Sequence, residues 1–331
     1  MKEITMGQPN IRGLLVSGPL ANVSLAYKNR TYIADRVFPI IDSPSPEAKI
    51  GRYLKSDWFR DEAAIRAPGT KAARGGYKID TIPISAAEFA FAKEVTEEDR
   101  QLAALPNTPP LQPEQDAIEF CTMKVDLKKE RRVSEIIFNS TWSDLPGGDN
   151  AEGLWAAGPG NTFICDVETA IDRIESNTGF RPNVLLLSSN TLKELKMEAT
   201  VLERIKYTQR GIISAELIAA LFDLDEVLIG GAIYSSAREK KEGTEFAAAR
   251  IWEKNPGKGS AFLFYRPPVP GLKTPSSGYQ VRVPYPNGLP RSTRTWNEPA
   301  ENQDVYEVKE NVCITQTGAD LGYLWYNTIA N

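Results

Sequence analysis

Residues 49–80 read KIGRYLKSDWFRDEAAIRAPGTKAARGGYKID, and this stretch decides the architecture. It carries Lys49, Arg52, Lys55, Arg60, Arg66, Lys71, Arg74 and Lys78 against Asp57, Asp61, Glu62 and Asp80, with no sustained apolar period. Gly69, Gly75 and Gly76 near its middle suit a turn or a flexible tip. Beyond the tip, Tyr77, Ile79 and Thr81 alternate with Lys78 and Asp80, and Phe89 and Phe91 alternate with polar or small neighbours from Glu88 onward. A strand, a glycine-rich tip and a returning strand predict a long hairpin. About twenty extended residues per arm would span roughly 60 Å, more than the width of a compact domain of this size. Two strands alone are barely stable in water. The hairpin is therefore expected to project and to lie on a neighbour.

Upstream, residues 1–47 show scattered hydrophobes without a period and close on Pro39, Pro44 and Pro46. Such a segment behaves as an arm that orders against something else. Downstream, residues 105–113 are proline-rich, with Pro113 at a plausible helix start. No Gly or Pro interrupts 114–138, where Ile118, Cys121, Val125 and Ile136 recur near helical spacing. Asp116, Glu119, Lys128, Lys129, Glu130, Arg131, Arg132 and Glu135 make its polar face. One long helix follows, close to 38 Å in length. Pro146, Gly147, Gly148, Asp149 and Asn150 mark a loop or hinge.

From 162 to 234 the pattern changes to alternating helix and strand. Val167, Ala170, Ile171 and Ile174 define a helix ended by Gly179, and 184–187 is a buried strand. Ser189 starts a further helix, 202–207 and 214–222 read as helical, and 226–229 is a second buried strand, giving a compact α/β module. Between 246 and 264 two strands surround the turn cluster at 255–259, read as a hairpin. Tyr279, Val281, Val283 and Tyr285, then residues 305–315, alternate as half-buried strands expected to share a layer with the long helix.

The whole chain has 331 residues, Lys+Arg 39 and Asp+Glu 43, for a formal charge of −4. That length suffices for one large or two medium domains. The acidic balance argues against coating nucleic acid by neutralising phosphates. No apolar run approaches the ~20 residues of a membrane span, and Glu3 and Arg12 interrupt any signal-like start. The chain is expected to be soluble and to stay in the cytoplasm where it is made. It contains no histidine, which removes Ser-His-Asp triads, Cys-His pairs and His-bearing zinc sites. Cys121, Cys165 and Cys313 lack metal or redox spacing and read as reduced, buried small hydrophobes. Phosphate-loop and dinucleotide fingerprints are missing, Gly257-Lys258-Gly259-Ser260 being only an echo of the former. The acids Glu94, Glu97, Glu98 and Asp99, and Asp223, Asp225 and Glu226, read as caps and helix starts. Asp144, Asp149 and Glu152 are the remaining candidates for a cation. Neither catalysis, a metal nor a cofactor is expected.

Three stretches carry a family resemblance: residues 25–39 (LAYKNRTYIADRVFP); Asp57-Trp58-Phe59-Arg60-Asp61-Glu62 with Arg66-Ala67-Pro68-Gly69-Thr70; and Ala117-Ile118-Glu119-Phe120 leading through the charged helix to Phe138-Asn139-Ser140-Thr141-Trp142. They are similar to the N-arm, the E-loop hairpin and the spine helix of the major capsid proteins of tailed bacteriophages, the group sharing the fold first seen in the phage HK97 shell. The resemblance implies an α+β fold with an N-arm at 1–48, an E-loop at 49–94, a peripheral domain at 95–161 and 271–331 that includes the spine helix at about 114–138, and an axial domain at 162–270. It implies self-assembly into pentamers and hexamers of an icosahedral head that encloses double-stranded DNA. Trp58, Phe59, Arg60, Asp61 and Arg66 would then make inter-subunit contacts, with Tyr27, Tyr32 and Phe38 anchoring the arm. Its partners would be further copies of itself, a portal, possible decoration proteins and packaged DNA in non-specific contact, with no membrane. Because recognisable arm sequence begins by Leu25, scaffolding is expected from a separate protein. Lys55, Lys71 and Lys78 lie in the hairpin, but no Asn or Glu partner is identifiable and no isopeptide cross-link is predicted. The expected location is the virion, assembled in the host bacterial cytoplasm. An encapsulin-type nanocompartment shell protein is the alternative with the same fold. A soluble α/β enzyme or ligand-binding protein is the alternative of another class, and in it residues 60–78 should fold back and be buried.

Overall fold

The computed structural model describes residues 29, 32–104, 112–199, 201, 214–237, 246–271, 274–286 and 288–330. Tyr27 and the helix expected at 202–207 lie outside the described residues. The arm enters as one helical turn, α1 (Ala34–Val37), followed by β1 (Ile40–Asp42). The hairpin comes next: β2 (Glu47–Tyr53), a short α2 (Lys55–Trp58) and β3 (Ile79–Ser85). β2 and β3 pair antiparallel from Glu47 opposite Ser85 to Tyr53 opposite Ile79. The paired stem is shorter than the sequence suggested, and residues 54–78 form the tip. The cause is the next strand. β4 (Ala87–Thr96) leaves the hairpin and joins the peripheral sheet, so Phe89 and Phe91 belong to a different ladder from Ile79.

After α3 (Glu97–Ala103), whose Thr96 cap accepts from the Asp99 N–H at 3.3 Å, comes the spine helix α4 (Pro113–Asn139). Pro113 occupies its first turn, where a missing N–H costs nothing. Its buried face holds Cys121 and Val125, as the spacing predicts, together with Ala117, Val133, Ser134 and Ile137, whereas Ile118 and Ile136 are only partly covered; it also holds Lys129 and Glu130. The reading that placed those two on a solvated face is corrected. They lie three and four residues before Val133, on its side of the helix.

Short strands β5 (Thr141–Trp142), β6 (Leu145–Pro146) and β7 (Asp149–Asn150) follow the helix, and α5 (Phe163–Thr178) opens the stretch expected as the axial domain. Gly179 ends α5 in the left-handed region, φ 72°, which is why a glycine stands there. β8 (Val184–Ser188), α6 (Ser189–Leu195), α7 (Ala215–Phe222), β9 (Glu226–Gly230), β10 (Ile233–Ser235), β11 (Ala248–Arg250) and β12 (Ser260–Phe264) follow. The hairpin expected around 255–259 does not form. β11 pairs with β10, whereas β12 sits between β8 and β16 (Gly322–Tyr326). β12 is buried along its whole length, so it needs a strand on each side and a helix layer, which a small ladder such as β11 cannot provide. The turn at Asn255, closed by the Lys258 N–H, therefore connects two sheets.

In the peripheral sheet, β15 (Gln303–Gln316) is the centre. β4 flanks one edge; β13 (Gly278–Arg282) and β14 (Arg291–Glu298) follow one another along the other. β1 adds parallel to β13. Two main cores result. One lies between the axial helices and one face of the axial sheet and includes Trp155, Phe163, Leu185, Leu187 and Trp325. The other holds Ile33, Val37 and Phe38 of the arm, Val133 and Ile137 of the spine, Leu186, Phe262 and Leu324 of the axial sheet, and Val312 and Ile314 of β15. Strand β8 thus feeds both cores from alternate residues, which explains its continuous apolar run. Cys121 is buried as expected, Cys313 is partly covered, and Cys165 is exposed on α5, against expectation. The outer face of that amphipathic helix carries it.

Candidate functional site

All residues from 58 to 81 are exposed. Trp58 retains 61% of its surface and Phe59 68%, values far from those of core aromatics. The indole is held in place all the same. Its ring lies 5.6 Å from Tyr53 and 6.0 Å from Tyr77, and these two tyrosines are 5.7 Å apart, so the hairpin root presents a three-ring patch. Asp57 accepts the Lys78 N–H at 2.9 Å and lies 3.6 Å from Arg60, which also bonds Glu62 at 3.1 Å. Asp61 and Arg66 stand exposed further out on the tip. Only the root is fastened. Lys55 Nζ donates to Asn177 Oδ1 at 2.9 Å and pairs with Asp320, while the Phe59 ring edge lies 3.7 Å from where a Cβ on Gly179 would be. Across the stem, Arg52 and Asp80 pair at 2.7 Å, which holds the Asp80 carboxyl below its ordinary value.

The second feature is the seat of the arm. Phe38 is fully buried, its ring 2.7 Å from the position a Cβ on Gly278 would take. Tyr32 is half-buried and its hydroxyl accepts from Asn29 Nδ2 at 3.3 Å; burial, the largest cause, pushes its phenol up. Gln280 Nε2 donates to the carbonyls of Ala34 at 2.8 Å and Phe38 at 3.0 Å. The residue the sequence reading missed is Glu130, which is 0% exposed. Its two oxygens accept the Ile33 N–H at 3.0 and 3.1 Å, the Ala34 N–H at 2.9 Å and the Trp252 indole N–H at 2.7 Å. Burial raises its carboxyl pKa, the donors from Ile33, Ala34 and Trp252 lower it, and Asp35 adds to the rise. Beside it, Lys129 Nζ reaches Asp35 at 2.6 Å and Glu310 at 3.2 Å. Spacing from Val133 and Ile137 was the one available signal that 129 and 130 face inward. Their partners, between about a hundred and 181 residues distant in the chain, carried none.

For small-molecule chemistry the arrangement offers little. Among the described residues, no group of three or more His, Cys, Asp or Glu is arranged to hold a metal ion. Asp149, once a cation candidate, instead accepts the Tyr323 hydroxyl at 2.8 Å, which with burial pushes that phenol up. No helix among the described residues is long and apolar enough to cross a membrane.

No family model matches the chain. Among solved structures, a phage-related protein from Bordetella bronchiseptica is similar with a TM-score of 0.67 and 20% identity, covering 92% of this chain and 95% of that one. The capsid of cyanophage P-SCSP1u follows at TM-score 0.60 and 12% identity, covering 97% and 95%. The SrpI encapsulin of Synechococcus elongatus gives 0.52 and 13%, covering 98% and 97%. The fold is accordingly the α+β, HK97-like capsid fold. Among curated proteins, the major capsid protein of Burkholderia phage BcepMu is 25% identical over 324 residues, 94% of this chain and 95% of its own. That of Pseudomonas phage JBD67 is 23% identical over 322 residues, 94% and 96%. The resemblance to phage major capsid proteins read from the sequence is supported along nearly the entire chain.

Proposed function

We propose that copies of this chain assemble, through the hairpin, into pentamers and hexamers that close an icosahedral head around double-stranded DNA. The observation that carries this is the hairpin itself: residues 58–81 are exposed and a three-ring patch sits at their root. In a monomeric enzyme the same residues should have folded back onto their own domain. In this reading Trp58, Phe59, Arg60, Asp61 and Arg66 touch the adjacent subunit, and Tyr27, Tyr32 and Phe38 anchor the arm. The axial domain (162–270), whose sheet is completed by β7 and β16, gathers around the five- and six-fold axes, and the E-loop (49–94) reaches across from the peripheral domain, which takes the rest of 95–161 and 271–331. Scaffolding, portal and any decoration come from separate proteins, and the head assembles in the host cytoplasm. Each contact is weak alone, but a closed shell repeats it many times. The acidic chain suits a container that must not grip its DNA.

Negative-stain electron microscopy of the purified chain, alone and co-expressed with its neighbouring reading frames, tests the reading. Closed polyhedral shells are expected in at least one preparation; uniform small particles in both would remove it. Trp58→Ala should abolish shells, and Arg60→Glu should abolish them at low salt, each leaving the axial domain folded; normal shells from both under those conditions would overturn the contact assignment. The encapsulin likeness supports a second reading, in which the shell encloses protein. The curated relatives favour the phage head. Purified shells that carry a cargo protein and exclude DNA under packaging conditions would decide for the encapsulin.

A further inference from the structure

Asn29 and residues 32–42 together reach the axial domain, the peripheral sheet and the spine helix. Asn29 bonds the Ile233 carbonyl at 2.9 Å, Arg36 pairs with Glu226, and Arg266 donates to the Arg36 carbonyl, all on the axial domain. Gln280 and the parallel pairing of β1 with β13 hold the same segment to the peripheral sheet. Lys129 and Glu130 hold it to the spine helix. Ile33, Val37 and Phe38 meanwhile fill the core that lies between the axial sheet, the spine and β15. The segment is thus a strap across the junction of two domains, and one side chain stands where all the parts meet. Glu130 comes from the spine, takes two consecutive N–H groups of the strap, and takes the indole N–H of Trp252 from the axial domain. Trp252 is itself fixed: a Cβ on Gly230 would lie 2.5 Å from it.

We infer that Glu130 is a positioning residue that locks the strap and, through Trp252, sets the angle between the axial and peripheral domains, and hence the curvature with which subunits close a shell. The inference about curvature rests on the shell reading above; the lock itself does not. The chemistry favours a carboxylate. The turn at 34–37 has no side-chain cap of its own, and its leading N–H groups are buried away from water. A carboxylate has enough lone pairs for all three donors, whereas the isosteric amide keeps one acceptor oxygen and turns an NH2 toward groups that also donate. Lys129, paired with Asp35 on the strap and with Glu310 on β15, ties the neighbouring turn to the sheet and keeps this charged junction from being an isolated buried ion.

The test uses the unassembled full chain first. Hydrogen exchange is followed at 33–42, with the buried axial strand at 184–188 as the internal standard. In Glu130→Gln the strap amides should exchange roughly tenfold faster or more, while the standard is unchanged. Trp252→Phe removes the indole donor together with part of the ring's volume but keeps the Glu130 carboxylate and an aromatic side chain in the site, and the 184–188 standard reports any general loss of stability. This variant should leave the strap amides protected but release the coupling, giving shells of altered or mixed diameter. Glu130→Asp, shorter but still a carboxylate, should recover part of the strap protection that Gln loses. Strap amides as protected in Glu130→Gln as in the parent overturn the lock. A uniform acceleration that includes 184–188 overturns it too, by making Glu130 merely a stability residue. Shells of parental diameter from Trp252→Phe overturn the curvature claim alone. A parent chain that forms no shells under any condition removes the shell reading and leaves the exchange result standing.

Discussion

At the scale of single residues, the arm seat turns on a glycine as much as on a ring. Gly278 opens β13, and an added Cβ would come 2.7 Å from Phe38, closer than real side-chain carbons approach. Its backbone conformation is ordinary strand, so the need for glycine is steric and comes wholly from the arm. Phe38→Ala should cost about 3–5 kcal/mol in urea unfolding, the range for emptying a buried aromatic site. Gly278→Ala should cost about 1–3 kcal/mol by overpacking. In the double variant the alanine has room, so the second cost should shrink to a few tenths, an interaction that only direct contact produces. Strictly additive costs would show that the ring is not held against this strand. The sequence pointed to Phe38 through the resemblance of 25–39 to a capsid arm, but nothing in it pointed to Gly278, because the pair is 240 residues apart. Glu130 is the same case with a difference. Its spacing from Val133 and Ile137 placed it on the inner face, and only the assumption that charged residues are solvated hid it.

At the scale of elements, legibility followed how local the determining physics is. The spine helix was read as 114–138 and spans Pro113–Asn139, because proline at its start and an uninterrupted periodic run are local signals. Gly179 ended α5 as expected for the same reason. The hairpin at 255–259 failed because a turn cluster says where the chain bends but not which strands then pair, and β12 was claimed from both sides by β8 and β16. The stem of the hairpin was overestimated because alternation runs on past Ser85 into β4, which answers to β15 a full 200 residues later. Beyond its root, the tip buries nothing in its own chain, and this separates stability from assembly. Replacing residues 61–76 with a short Gly-Ser linker should leave the urea midpoint of the monomer within about 0.5 kcal/mol of the parent, as for surface changes generally. The same deletion should yield no shells by electron microscopy. A strongly destabilised monomer would mean that the tip packs on its own domain after all.

At the scale of the whole molecule, charge is distributed unevenly. Residues 49–80 carry a net +4, so the rest of the chain carries −8 to give the overall −4. With no histidine, no imidazole titrates near neutral pH to alter this balance, which leaves ionic strength as the simplest way to probe it. If a basic hairpin from one copy lies on the acidic body of the next, raising salt from about 0.1 M to 1 M shortens the screening length from roughly 10 Å to 3 Å and weakens every such contact at once. The three-ring patch at the hairpin root pulls the other way, since burial of Tyr53, Trp58 and Tyr77 is insensitive to screening and is strengthened by kosmotropic salts. The two contributions separate by variant. Light scattering of the parent should show assembly slowed and reduced as sodium chloride rises, because charge complementarity governs encounter more than final affinity. Arg60→Glu combined with Arg66→Glu should assemble poorly at low salt and partly recover at high salt, where the new repulsion is screened. Trp58→Ala should fail at every salt concentration, because screening cannot replace a lost apolar contact. Loss of assembly in the charge-reversed variant that persists unchanged at 1 M salt would instead assign those arginines to short-range hydrogen bonds within the interface, and the long-range charge asymmetry would then play no part in bringing subunits together.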